Sequence, residues 1–232
     1  MSQNVVVIPT LNEEEGIGRT LREIKHVLGN PKIIVVDAHS EDRTVKVASR
    51  FHVKVILQEG FGKGKAVSQA FQSLEDDSEQ CVVLIDGDYS YPAKYIPKMV
   101  QMLREREDVA MVLGERFFYP ERLSEKIKKL MSDRYYAGNH VLALIHRFLN
   151  HVNLKDPLSG LRVIKYSYIK DYHSKAEGFD FEVELNNYIA NQKKGKILEV
   201  PLRYRERLGK KKLGVRHGFL ILNRIVTMMF EN

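Results

Sequence analysis

Short apolar segments recur along the first half of the chain, and their spacing limits the folds open to it. They are VVVIP (5–9), KIIVVD (32–37), VKVIL (53–57), CVVLID (81–86) and VAMVLG (109–114). Stretches with helical periodicity separate them, at about 14–28, 43–51, 64–74 and 93–105. Alternating helices and continuous Val, Ile and Leu strands predict an α/β fold, with a mostly parallel central sheet covered by helices on both faces.

The second half of the chain loses this alternation. A long stretch with helical spacing and interspersed Lys and Arg covers 123–152, and a short apolar helix is predicted over 219–230. Further strands are predicted at 160–165 and 196–207, around a helix near 179–191. We therefore expect a single domain, 1–232, with a helical insertion and a C-terminal amphipathic helix.

Composition narrows the class of protein. A chain of 232 residues with 44% hydrophobic content can bury a sizeable core. Its one cysteine, Cys81, excludes a disulfide framework and a cysteine-based zinc site, which favours the cytosol. The first residues lack the basic region of a signal peptide, and no apolar run is long enough to span a bilayer. We expect a cytoplasmic protein that is soluble or peripheral to a membrane.

Charge points to an anionic partner. The net charge is +7, and much of the excess lies in RYRERLGKKKLGVR (203–216). Such a stretch can bind nucleic acid, a phosphorylated small molecule or an anionic membrane face. It lacks the series of aromatic side chains on which bases stack, so nucleic-acid binding is kept only as a third hypothesis.

The segment VVLIDGDYSYP (82–92) places Asp86 and Asp88 one residue apart at the end of a predicted strand. Ligands of parallel sheets bind beyond the carboxyl ends of the strands, where these residues are expected. Two carboxylates so close together repel each other, and a divalent cation would offset the repulsion. A turn with two solvated acids is the plainer alternative.

Six segments, taken in order, resemble the family 2 glycosyltransferases of the GT-A fold, and most of all the polyprenyl-phosphate (dolichyl-phosphate) mannose or glucose synthases. They are VVVIPTLNEEEGIGRTL, IIVVDAHSEDRT, GFGKGKAV, VVLIDGDYSYP, DPLSGLRV and RERLGKKKL. The resemblance covers about residues 4–215. It implies that 1–114 bind a nucleotide sugar and that 115–232 bind the acceptor, with helices facing a membrane.

The resemblance also implies a metal. A nucleoside diphosphate leaves more readily when Mg²⁺ or Mn²⁺ binds its oxygens. Asp88 would touch this metal, while Asp86 would face the donor's ribose or a metal-bound water. Gly87, between them, is also expected to bind the donor. The chain departs from the synthases directly afterwards, because Ser90 and Tyr91 stand where they usually carry a metal-assisting glutamine and a histidine.

For the donor, the resemblance implies that base and ribose lie against a set of residues from the first two strand ends, and that cations hold the pyrophosphate. Asp37 would accept hydrogen bonds from a base N–H. Lys63, in a glycine-rich turn without the spacing of an ATP-binding P-loop, would lie near the donor. Arg207 and Lys212 would clamp the pyrophosphate, unless they belong to a solvated basic loop. The residues implied to line base and ribose are Pro9, Leu11, Glu13, Val36 and Asp37.

For the acceptor, Arg116, Ser159 and Arg162 match positions that hold a lipid phosphate. With a second pKa near 6, such a phosphate is already nucleophilic and needs no general base. Were the acceptor a hydroxyl, Glu182 or Glu184 could act as the base. The residues expected to act in catalysis are Asp88, Arg116, Ser159 and Arg207.

The leading hypothesis is an inverting, metal-dependent hexosyltransferase that uses GDP-mannose or UDP-glucose. Its acceptor would be a polyprenyl phosphate, reached from the cytosolic side of an anionic membrane surface. The second hypothesis keeps the donor and replaces the acceptor by a soluble or protein-bound hydroxyl.

Overall fold

The computed structural model describes residues 4–75, 80–116, 131–176, 178–212 and 214–231. The strands in this part of the chain are β1 Val5–Thr10, β2 Lys32–Asp37, β3 Lys54–Leu57, β4 Cys81–Leu84, β5 Val109–Glu115, β6 Arg162–Lys165 and β7 Lys196–Pro201. They form one sheet in the order β3-β2-β1-β4-β6-β5-β7. All pairings are parallel except those of β6. The predicted α/β class with a mostly parallel sheet is confirmed.

The helices flank this sheet. They are α1 Ile17–Leu28, α2 Thr44–Ser49, α3 Lys63–Gln72, α4 Ile96–Arg104, α5 Arg134–Asn150, α6 Phe181–Asn187 and α7 Val215–Met228. A 3₁₀ turn, Ala93–Tyr95, leads into α4, and a π-helical turn, Tyr188–Gln192, follows α6. Of the helical stretch predicted at 123–152, residues 123–130 lie outside the described residues. The strand predicted at 196–207 ends at Pro201, because proline has no N–H to continue the ladder.

Alternate residues of each central strand enter opposite layers of the core. In β1, Val6 and Ile8 pack on the side that includes Leu21 of α1. Val5 and Val7 pack on the other side, which includes Phe71 of α3. Because both faces of the sheet are covered, β1 and β4 are apolar along almost their whole length, as their sequences indicated.

Strand β6 runs against its neighbours, and this reversal shapes the functional edge of the sheet. Arg162, its first residue, lies opposite Leu84 of β4 and Leu113 of β5. The loop that precedes β6 therefore reaches the same edge as the carboxyl ends of β4 and β5. This is how DPLSG (156–160) comes to lie beside DGD (86–88), which spacing alone did not predict.

Helices α5 and α7 pack together beyond this edge. Asp133 caps α5, its carboxylate accepting hydrogen bonds from the Tyr135 and Tyr136 amides at 2.9 and 3.1 Å. Leu142 of α5 joins Ile221 and Ile225 of α7 in a small apolar cluster. Among the described residues, no helix combines the length and the apolar character needed to cross a bilayer.

Candidate active site

A cavity of about 370 Å³ opens at the carboxyl edge of the sheet. Strand ends, the loop before α6 and the segment after β7 all contribute to its wall. The charged side chains that line it include Lys63, Asp86, Asp88, Arg116, Glu182 and Arg207. Five of these six were singled out from the sequence as metal, donor or acceptor residues, and Glu182 was a conditional base.

Lys63 joins two carboxylates on the floor of the cavity. Its Nζ lies 2.6 Å from Asp86 Oδ1 and 2.8 Å from Glu182 Oε1. Burial alone would lower the pKa of Lys63, but the two carboxylates raise it above its ordinary value. Burial alone would raise the pKa of Asp86, and Lys63 lowers it instead. The lysine is therefore a permanent cation that keeps Asp86 ionised.

The backbone passes very close to Asp86 at Gly160. A Cβ built on Gly160 would overlap the Asp86 carboxylate, so this position accepts only glycine without movement of the acid. The glycine thus allows the loop before β6 to close against the end of β4.

Asp88 is held by the turn that follows it. Its Oδ1 accepts hydrogen bonds from the amide of Ser90, at 3.0 Å, and from the Ser90 hydroxyl. Its Oδ2 lies 3.7 Å from Nε of Arg207. Ser90, which stands in place of glutamine, therefore orients the carboxylate and is itself fully buried.

Whether Asp86 and Asp88 fit a metal ion depends on the oxygen ligands available around it. The described residues contain no group of three or more His, Cys, Asp or Glu side chains able to hold a metal ion. Mg²⁺ and Mn²⁺ accept one or two carboxylates when phosphate and water supply the remaining oxygens. Asp88, at the cavity wall, fits that arrangement, whereas Asp86 already pairs with Lys63.

Residues 202–212, which we call the strap, cross the edge of the sheet next to Asp88. The amides of Arg205 and Leu208 donate to the carbonyls of Ser90 and Asp88, at 2.9 and 3.0 Å. Arg205 also makes a two-pronged ion pair with Glu23 of α1, at 2.8 and 3.1 Å. The strap is thereby fixed to the DGDYS turn by backbone and side chain.

The strap delivers two cations to one carboxylate, Glu13. Arg207 NH2 lies 3.0 and 3.2 Å from the two Glu13 oxygens, and Lys212 Nζ also contacts Glu13. Burial raises the pKa of Glu13, although Lys212 and Arg207 oppose the rise. Arg207 Nε is buried, and within the described part of the chain it has no hydrogen-bond partner. Arg207 and Lys212, the two cations predicted to clamp a pyrophosphate, therefore lie together on one carboxylate.

The residues predicted for base and ribose are divided between core and surface. Asp37 is fully buried and accepts hydrogen bonds from Thr10 Oγ1 (3.0 Å) and from the Ser40 amide and hydroxyl (2.8 and 2.6 Å). A carboxylate offers about four acceptor positions, and three of them are used within the protein. Leu11 is exposed and lines a second cavity of about 480 Å³, together with Lys212.

Three further residues that were predicted to bind the nucleotide sugar have no polar side chain. Val36 is buried in the core, paired in register with Pro9 of β1. Gly87 is buried, and its carbonyl accepts a hydrogen bond from the Thr20 hydroxyl at 3.3 Å. They set the shape of the strand ends rather than presenting polar side chains.

Arg116 also lines the cavity, and it is paired with Asp156. The guanidinium and the carboxylate meet through two bonds, Nε–Oδ2 at 2.8 Å and NH2–Oδ1 at 2.7 Å. Burial would lower the pKa of Arg116, but the Asp156 carboxylate raises it well above its ordinary value. Asp156 belongs to the DPLSG motif, yet its role as partner of Arg116 was not anticipated.

Two residues matched to the acceptor phosphate are buried. Arg162 donates to the carbonyls of Pro157, Ser159 and Glu182 and to Asn186 Oδ1, at 2.6–3.3 Å. Arg162 therefore braces the loop before β6. Ser159 is also fully buried, with its Oγ 3.5 Å from the Tyr91 hydroxyl.

The two candidate bases, Glu182 and Glu184, differ in whether they line the cavity. Glu182 faces the cavity, and burial raises its pKa. Glu184 instead binds the Tyr172 hydroxyl at 2.9 Å and Arg224 of α7 at 2.7 Å, away from the cavity. Only Glu182 remains a candidate base.

Comparison with known proteins gives a consistent picture. Residues 5–172 match the family described as Glycosyl transferase family 2. A dolichyl-phosphate hexose transferase of Haloferax volcanii is 30% identical over 210 residues, 90% of this chain and 85% of that protein. A dolichol-phosphate mannosyltransferase of Pyrococcus furiosus is 28% identical over 235 residues, 97% of this chain but only 63% of that protein.

Solved structures agree on the fold. Glucosyl-3-phosphoglycerate synthase from Mycobacterium tuberculosis, in complex with Mn²⁺, UDP-glucose and glycerol 3-phosphate, has a TM-score of 0.72 at 22% identity. The match covers 98% of this chain and 79% of that one. The predicted GT-A fold is thereby confirmed. Since the family matches most of the chain, the protein belongs to glycosyl transferase family 2 and is a glycosyltransferase.

Proposed function

We propose that this glycosyltransferase moves a hexose from a nucleotide sugar to a polyprenyl or dolichyl phosphate, with inversion and with Mg²⁺ or Mn²⁺. The observation that carries the proposal is one cavity lined by two groups of residues that each contain a cation. The first group, the donor edge, lines the cavity with Asp88 and Arg207, and Glu13 and Lys212 lie next to them. The second group, the acceptor wall, lines the cavity with Tyr91, Arg116 and Tyr204, and the buried Asp156 holds Arg116.

At the donor edge, the diphosphate would replace Glu13 as the partner of Arg207 and Lys212. Their charge-assisted hydrogen bonds strengthen as the bond to the sugar breaks and charge accumulates on the diphosphate. A cation bound by Asp88 and the diphosphate oxygens would neutralise part of that charge. Lys63 keeps Asp86 ionised on the floor of the cavity, where it can accept hydrogen bonds from ribose or sugar hydroxyls.

At the acceptor wall, a phosphate oxygen would attack the anomeric carbon from the face opposite the diphosphate. The new C–O bond forms as the bond to the β-phosphate breaks, and the nucleoside diphosphate leaves with the electron pair. No proton has to be removed, because the acceptor phosphate is already an anion. The protein's contribution is to hold the two substrates in line.

A lipid acceptor also requires contact with a membrane, which we place at its cytosolic face. On α5, Val141, Leu144 and Phe148 are exposed at helical spacing, and on α7 Phe219 is 68% exposed. Arg147 and Arg216 are exposed on the same helices. Each basic residue near an anionic leaflet contributes about 1 kcal/mol, and apolar helix faces can lie in the interface.

The basic stretch at 203–216 does not favour nucleic acid. Arg205, Arg207 and Lys212 are engaged by Glu23 and Glu13. Cations already paired within the molecule add little to the counterion release that drives nucleic-acid binding.

Glu182 supports a second candidate function, transfer to a hydroxyl acceptor. Its Oε1 pairs with Lys63 while the side chain faces the cavity, so it could remove a proton from a hydroxyl. Glu182→Gln distinguishes the two functions. It should leave transfer to a phosphate acceptor within about tenfold of the parent enzyme, but reduce transfer to a hydroxyl acceptor by about a hundredfold or more.

The direct test screens nucleotide sugars by thermal shift with Mn²⁺, because a ligand of the folded state raises its stability. The best donor is then assayed by mass spectrometry with a polyprenyl phosphate in detergent and with soluble hydroxyl acceptors. Transfer to the phosphate alone supports the proposal, and transfer to hydroxyls alone overturns it.

Membrane contact is tested by flotation with anionic vesicles. Phe148→Glu and Phe219→Glu should reduce binding, whereas Phe61→Glu, a change at an exposed phenylalanine outside the helix pair, should not. Equal loss in all three variants, or no binding by the parent protein at low salt, would contradict the membrane assignment.

A further inference from the structure

Tyr91 is the buried tyrosine of the acceptor wall. It follows the DGDYS turn and is only 2% exposed, yet it contributes to the cavity wall beside Arg116. Its ring meets that of Tyr204 edge to face, with the centroids 5.1 Å apart. Such packing holds the ring, and hence the hydroxyl, in one place.

The hydrogen bonds of the Tyr91 hydroxyl are incomplete. The oxygen accepts a hydrogen bond of 2.7 Å from the Gly160 amide, and the Ser159 hydroxyl lies 3.5 Å away, too far for a strong bond. A phenol can also donate one hydrogen bond. Within the described part of the chain, no acceptor lies at normal hydrogen-bond length to take that hydrogen.

The surroundings indicate an anionic partner for this hydrogen. Burial raises the pKa of Tyr91 well above its ordinary value, so the hydroxyl keeps its hydrogen. Towards an anion, the hydroxyl therefore acts as a hydrogen-bond donor. The Arg116 guanidinium supplies positive charge on the same wall. The diphosphate of the donor is expected elsewhere, beside Arg207 and Lys212, which leaves the acceptor's anion for this wall.

We propose that the Tyr91 hydroxyl donates a hydrogen bond to a non-bridging oxygen of a phosphate monoester on the acceptor, beside Arg116. This inference rests on the proposed function and adds a residue to it. Because Gly160 fixes the phenolic oxygen from behind, the hydrogen points to one position, and the phosphate is oriented as well as bound. Tyr91 would thus select acceptors that carry a phosphate monoester.

The test is Tyr91→Phe, which removes one oxygen and keeps the ring. The matched control is Tyr95→Phe, because the Tyr95 hydroxyl likewise accepts a bond from a backbone amide, that of Arg203 at 3.1 Å, but does not line the cavity. The Tyr91 variant should raise the KM for the phosphate acceptor about tenfold or more, with the donor Kd within about twofold of the parent. The control should alter neither constant.

A purely structural role would have a different signature. If Tyr91→Phe lowers Tm, donor affinity and acceptor affinity together, or leaves the acceptor KM unchanged, the proposal is overturned. The comparison of melting temperatures with Tyr95→Phe removes the part of any effect that comes from losing a bond to a backbone amide.

Direct binding separates this inference from the proposed function. A short-chain isoprenyl phosphate and glycerol phosphate are titrated calorimetrically into the parent protein and the Tyr91 variant, without turnover. Weaker binding of both phosphates by the variant supports the role of Tyr91, even if neither compound accepts sugar, in which case only the proposed function fails. Equal binding by both proteins overturns the inference, and a loss confined to the isoprenyl phosphate does so too, because it assigns Tyr91 to the lipid chain.

Discussion

The two surfaces of the cavity hold their cations in different ways. On the donor edge, Arg207 and Lys212 share the single carboxylate of Glu13, whose pKa burial raises. On the acceptor wall, Arg116 has its own fully buried carboxylate, Asp156, in a two-pronged pair. Two cations that share one carboxylate can exchange it for an anionic ligand. A two-pronged pair loses both of its bonds in such an exchange, which costs more free energy. The cations of the donor edge are therefore able to change partner, whereas Arg116 of the acceptor wall is held in a fixed position.

The largest expected effect comes from the donor edge. Asp88→Asn should reduce transfer by about a thousandfold or more and weaken metal-dependent donor binding, because the cation loses its carboxylate. Stability should change little, since the residue lies at the rim of the sheet. Steady-state assays with and without EDTA provide the measurement, and full activity in EDTA would refute the metal assignment.

Arg207→Ala and Lys212→Ala should each cost about 2–4 kcal/mol of transition-state stabilisation if both cations hold the diphosphate. Urea unfolding should show losses below about 1 kcal/mol, because partly exposed ion pairs contribute little to stability. Lys210→Ala, an exposed lysine of the same strap, is the matched control. Transfer rates within twofold of the parent would contradict the clamp and favour the alternative, a solvated basic loop.

The acceptor wall should show the opposite balance. Asp156→Asn leaves Arg116 without its buried partner and should lower the free energy of unfolding by about 3 kcal/mol. Glu13→Gln, the corresponding change on the donor edge, should cost less, because burial already disfavours the charged form of Glu13 and raises its pKa. Urea denaturation of the two variants measures the contrast, and equal losses would mean that the surfaces do not differ in this way.

The smallest effect is a pH dependence. Because the folded-state pKa of Glu13 is raised, its carboxylate takes up a proton in the folded protein before it does so in the unfolded chain as pH falls. The stability that this proton contributes is present at low pH and is lost as pH rises through the raised pKa. Protonation also releases Arg207 and Lys212 for the diphosphate, which remains ionised. Donor affinity should therefore increase as pH falls from neutral through the raised pKa of Glu13. Calorimetry should show a flat profile for Glu13→Gln, and an equal slope in that variant would assign the effect to another group.

Sequence patterns predicted the parts of the molecule that depend on near neighbours. The continuous apolar strands and the polar residues at their ends placed Asp86, Asp88 and Asp37 at one edge of the sheet, as observed. These features follow from strand periodicity and from the rule that parallel strands end together. Lys63, which only the resemblance implied to lie near the donor, pairs with Asp86.

The remainder depends on contacts between distant segments. Lys63 and Glu182 meet across 119 positions of sequence, and Arg207 and Glu13 across 194. No local pattern encodes such pairs, nor the reversed direction of β6, which alone brings Asp156 and Gly160 to the cavity. Tyr91 was visible only as a departure from the related synthases, and Tyr204 of the strap had no signal at all.

The reversal of β6 has a consequence for the connection that leads from β5 to it. The chain leaves the sheet after β5, at Glu115, and returns at Arg162 on the adjacent strand. The two ends of the connection between these points are therefore held side by side, so its length can vary at a small cost in loop-closure entropy. A change in that length would leave the register of the sheet unchanged.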